Sequence, residues 1–119
     1  MDSGEQLVID LVGHVPELED LYETHVFNEN GEVLPHVFFW DVTQEVMDSF
    51  LAPHGGTLDW RKVLDFLEDR MKSGVPEVDE IIVTSFLNYL PYPRSPGHEI
   101  TKSLGPVMSQ RFTRIRPAG

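Results

Sequence analysis

Cysteine is absent from the 119-residue chain, which excludes disulfides, zinc–thiolate sites and thiol nucleophiles. Its absence fits a reducing cytoplasm. No stretch approaches the roughly 18 uninterrupted apolar residues of a membrane span. The opening residues Met1-Asp2-Ser3-Gly4-Glu5 are acidic where a secretory signal would be basic. The sequence also holds no Gly-x-Ser-x-Gly elbow, P-loop, dinucleotide glycine fingerprint or His-Glu-x-x-His zinc spacing. Gly55-Gly56 reads as a turn and not a phosphate cradle, because no Lys-Ser or Lys-Thr follows. These absences favour a cytoplasmic, non-enzymatic protein without cofactor or bound metal.

The most informative shortage is of positive charge. Residues 1–60 contain 13 acidic residues and neither lysine nor arginine. Residues 61–80 carry six acids and four bases, and residues 81–119 one acid and five bases. The three segments, at −13, −2 and +4, sum to the net −11. Such a field repels nucleic acid and anionic membrane and attracts basic partners.

What is present describes a globular domain. A composition 40% hydrophobic and 24% charged supports a packed core, and the length fits one domain. Ser3-Gly4-Glu5-Gln6 reads as a capping box, followed by Leu7, Val8, Leu11 and Val12 on one helical face, with Gly13 as a left-handed stop. Pro16 opens a second helix with Leu18, Leu21, Tyr22, His25 and Val26 as its stripe, and Asn30-Gly31 is a turn. Pro35 opens a third helix to about Leu51, in which Val37-Phe38-Phe39-Trp40 is apolar all round and should start deep in the core. A short strand at Val37–Val42 is the rival, and the helical spacing of Val46, Met47, Phe50 and Leu51 favours the helix.

Pro53-His54-Gly55-Gly56 breaks the chain, and Thr57 is placed to cap the next helix. Trp60, Val63, Leu64, Leu67 and Met71 line that helix, on which Glu68 and Lys72 stand in the favourable order for an ion pair. Gly74 ends it and Pro76 starts another, with Val78, Ile81, Ile82, Phe86 and Leu90 inside, giving an antiparallel hairpin over 57–90. Val107, Met108 and Phe112 suggest a last short helix. Arg111, Arg114 and Arg116 make a basic end that either frays or lies back on the acidic half. The expectation is an all-α fold of five or six short helices in antiparallel pairs, a small bundle or brief array. Residues 1–112 form the domain and 113–119 a basic tail.

Three segments carry a resemblance: Val15-Pro16-Glu17-Leu18-Glu19-Asp20-Leu21-Tyr22-Glu23-Thr24-His25, Gly31-Glu32-Val33-Leu34-Pro35-His36-Val37-Phe38-Phe39-Trp40-Asp41, and Ile81-Ile82-Val83-Thr84-Ser85-Phe86-Leu87-Asn88-Tyr89-Leu90. Together they are similar to an uncharacterised bacterial domain-of-unknown-function family of small acidic helical proteins, up to about Leu104-Gly105-Pro106. The resemblance implies a compact helical protein of bacterial origin. It brings no catalytic residues. Some similar small acidic bacterial proteins act as immunity partners of toxins.

Two sites follow from the residues. Asp41, Glu45 and Asp48 fall at i, i+4, i+7, and Glu19 and Glu23 at i, i+4, without a local lysine to relieve them. These five are the expected docking surface for a basic protein, as in an immunity or inhibitor role. The alternative is a small-molecule or metal site, or an enzyme, at His25, His36, Phe38 and Trp40, with Glu23 or Asp41 alongside. Against it, aromatic runs on helices usually serve the core. The chain is expected to be a monomer or weak homo-oligomer.

Overall fold

The computed structural model describes residues 2–54 and 56–119. It is all-helical: six α-helices with three 3-10 segments, and no strand among the described residues. The helices are α1 (Ser3–His14), α2 (Glu19–Asn28), α3 (Pro35–Leu51), α4 (Trp60–Lys72), α5 (Pro76–Ser85) and α6 (Pro106–Ile115). An expectation of five or six short helices thus leaves out the 3-10 segments at Pro16–Leu18, Leu87–Tyr89 and His98–Ser103. No helix among the described residues is long and apolar enough to cross a membrane.

Several helix ends differ from the sequence reading for local reasons. The cap of α1 is Asp2, not Ser3; its carboxylate accepts the Glu5 N–H at 2.8 Å. Gln6, freed from a capping box, donates instead to Asp10 (2.7 Å). Gly13 is no left-handed stop: α1 runs through it to His14. The chain turns at Val15 because a residue before proline is pushed out of the helical region. Asn30 and Gly31 do turn with positive φ, 56° and 88°. Gly55 of the next expected break lies outside the described residues.

Thr57 is exposed, and α4 is capped by Asp59, whose carboxylate accepts from Arg61 N–H (3.1 Å) and Lys62 N–H (3.3 Å). Losing an N-cap costs about 1 kcal/mol. Asp59→Ala should lower stability by about that much in urea denaturation, whereas Thr57→Ala should leave the midpoint unchanged.

The hairpin expected over 57–90 contains α4 and α5, but α5 stops at Ser85. There the single O–H of Thr43, from α3, is shared between Phe39 O (2.7 Å) and Ser85 O (3.1 Å). The chain continues through Phe86 into the 3-10 turn, and Phe86, Leu87 and Leu90 stay buried. The expected boundary between 112 and 113 falls inside α6.

Helix α3 packs on α1, α2, α4 and α5. It does not start wholly in the core. Phe38 and Phe39 are fully buried, while Val37 and Trp40 are each 46% exposed. At 3.6 residues per turn Phe38, Phe39, Val42 and Val46 share one face, and Val37 and Trp40 fall outside it.

Two helices begin against carboxylates from elsewhere in the chain. Glu77, in the first turn of α5, accepts the Gly4 N–H of α1 at 2.8 Å. Glu68, in α4, accepts the Val107 and Met108 N–H groups of α6, both at 2.9 Å. Gly105 lets that carboxylate come close; a Cβ there would stand 2.5 Å from the Glu68 carboxyl carbon. Glu68 is therefore a buried cap and not the surface partner of Lys72 that its spacing suggested.

Candidate functional site

Four of the five carboxylates expected to act together divide between two depressions, and Asp41 lines neither. Glu19 and Glu23 border a shallow hollow with Val12, Gly13, Pro16 and Tyr22. On the other side of α2, Glu17 and Asp20 face Glu45 of α3 across a groove of about 280 Å³. The half-buried Leu21 supplies most of its apolar surface above the buried Leu18 and Leu58, with Thr24 and Thr57 between them. Asp48 adjoins Glu45 where this groove continues past Ser49 and Gly56. Asp41 is half-buried and lies one turn before Glu45 on α3.

Glu17 and Asp20 were not among the expected residues. Their signal was present in the i, i+3 spacing, but Pro16–Leu18 is a 3-10 turn, so periodicity counted on one helix placed them poorly.

Among the described residues the ion pairs are Arg70–Asp69 (3.1 Å) and Arg111–Asp79 (3.5 Å). Neither involves a carboxylate of residues 1–60. The basic end does not return to the acidic half: Arg111 turns to α5, and Arg116 donates to Leu90 O, Pro91 O and Gly119 O. The groove acids thus face water without a cation beside them. Like charges held this way raise the local negative potential.

The alternative residues also separate. His25 is buried against Phe38 (ring centroids 5.5 Å apart), and its Nε2 accepts the Leu34 N–H at 3.0 Å. That bond requires the lone pair a metal would use. It ties the end of α2 to the start of α3. Phe38 has no exposed surface. His36 and Trp40 instead border an open recess of about 330 Å³ with Val37, Ser85 and Tyr89. In it His36 Nδ1 is hydrogen-bonded to Ser85 Oγ at 2.6 Å and lies 3.3 Å from Thr84 Oγ1. Ser85 and Tyr89 were missed because they reach the recess only through the packing of α5 on α3.

A hydroxyl beside an imidazole is the beginning of a nucleophile–base pair. Among the described residues, however, no carboxylate is hydrogen-bonded to His36, and Ser85 closes the C-terminal, carbonyl end of α5. That pole disfavours a developing oxyanion. No group of three or more His, Asp and Glu arranged to hold a metal occurs among the described residues.

No curated protein and no solved structure matches the chain. Residues 8–115 match the model of a family described as Domain of unknown function (DUF7674), so the similarity continues beyond Pro106 to the end of α6.

Proposed function

We propose that this chain, which belongs to the DUF7674 family, is a non-enzymatic binding module that docks a basic protein along α3. The observation that carries this reading is the groove in which Glu17, Asp20, Glu45 and Asp48 surround leucine side chains without an ion-paired lysine or arginine. Carboxylates at the margin steer a cationic partner toward the surface, and the apolar floor gives it area to bury once it arrives. The most concrete form is an inhibitor or immunity partner of a basic protein. A reducing cytoplasm is the compartment that suits a chain without cysteine.

The test uses a decalysine peptide as a probe of the groove. Affinity should fall at least tenfold, a change of about 1.4 kcal/mol, between low and physiological ionic strength, as screening shortens the reach of the exposed charges. Replacing Glu17, Asp20, Glu45 and Asp48 by their amides should weaken binding at low salt by roughly tenfold. A control that removes four charges elsewhere, at Glu29, Glu32, Glu80 and Glu99, separates the groove from net charge. Equal losses in both variants, or binding indifferent to salt, would end the docking proposal.

A further inference from the structure

The recess between α3 and α5 has the chemistry of a cation site. We infer that it takes the guanidinium or ammonium group of a side chain on the docking partner, an inference that rests on the reading above. Trp40 and Tyr89 are 46% and 50% exposed, yet they meet edge-to-face at 6.5 Å and 88°. Two large rings fixed at right angles and left in water present π surface, whose negative face attracts cations.

The surroundings have the same sign. α5 ends at Ser85 in the lining, so the negative pole of that helix dipole points to this side. Asp41 follows Trp40 directly and pairs with no cation among the described residues. No lysine or arginine lines the recess, and the Nδ1 of its histidine, His36, is already engaged by Ser85.

Elsewhere the protein covers aromatic rings with its own guanidinium groups. Arg61 lies 4.2 Å from the Trp60 ring centre, Arg70 lies 4.6 Å from Phe66, and Arg116 lies 4.0 Å from Tyr92. No such cation covers Trp40 or Tyr89 among the described residues. The stem of an arginine or lysine can pack on Val37 while its head meets the rings. On α3 the recess is lined by His36, Val37 and Trp40 and the groove by Glu45 and Asp48, with Trp40 and Glu45 about 8 Å apart along the axis. One basic segment crossing the helix can reach both.

The experiment titrates the full chain with N-acetyl-arginine amide and with N-acetyl-citrulline amide, its neutral isostere, observing the Trp40 indole N–H by NMR. Trp40→Phe assigns that resonance apart from Trp60. The arginine compound should move the Trp40 signal saturably, with the citrulline compound roughly three- to fivefold weaker. Tyr89→Ala should weaken the arginine response while the spectrum stays folded. An equal response to both compounds, or none at Trp40, overturns the cation site. If Trp40 responds as expected but the groove amides leave decalysine binding unchanged, the recess stands and the docking proposal falls. The converse pair of results removes the recess alone.

Discussion

Glu68→Ala should destabilise the protein by about 3 kcal/mol, since buried amide donors left without an acceptor cost about 1–3 kcal/mol each. The side chain is 7% exposed and holds two N–H groups at the start of α6. Gly105, the residue in the local cap position, offers no side chain to replace it. For a domain of this size the loss corresponds to a fall of roughly 10 °C in Tm. Denaturation in urea should show a lower midpoint with an unchanged slope. Hydrogen exchange should show the Val107 and Met108 amides opening ahead of the core. Glu68→Gln keeps one carbonyl acceptor and should lose about half as much as the alanine variant. A midpoint shift below about 0.5 kcal/mol for alanine, the range of ordinary surface substitutions, would mean that α6 is held by its apolar face alone.

The second large loss is expected at Arg116. Its guanidinium is buried, spans the carbonyls of Leu90, Pro91 and Gly119, and stacks on Tyr92 and Phe112. Arg116→Ala leaves the Leu90 and Pro91 carbonyls without their charged donor and uncovers two rings, costing about 2–3 kcal/mol. Lysine is not a conservative replacement, because an ammonium lacks the planar fork that reaches several carbonyls and lies flat on an aromatic ring. Arg116→Lys should therefore lose most of what alanine loses. Equal stability of the lysine variant and the wild type in thermal unfolding would show that charge alone serves there. Substituting Arg114, which is exposed, provides the control and should change little.

These two contacts mark where the sequence stopped being informative. Local patterns located several helix starts: Pro16, Pro35 and Pro76 each begin a helical segment as expected, and proline at the first helical position needs no amide partner, whereas Pro106, which opens α6, was not read that way. The spacing of Trp60, Val63, Leu64, Leu67 and Met71 identified the buried face of α4. Chain ends and caps were harder. Asp2 and Asp59 outcompeted Ser3 and Thr57 within a few residues, a choice set by backbone geometry that side-chain type does not reveal.

Long-range polar contacts were not legible at all. Glu68 looked like half of an i, i+4 pair because its real partners lie 39 and 40 residues away. Likewise the recess needs Ser85 and Tyr89, which no periodicity connects to His36 and Trp40. The acidic character of the first half was plain from composition. Its division between the two faces of α2 depended on the 3-10 turn at Pro16–Leu18.

The close approach of Gly105 to Glu68 also restricts how relatives can diverge. A side chain at 105 would occupy the space of the carboxylate, and a shorter residue at 68 would leave α6 uncapped unless position 105 supplied a serine or aspartate of its own. The two positions should therefore change as a pair, either Glu with Gly or a small residue with a capping one. Mixed combinations should be rare, because each carries the defect of both parents.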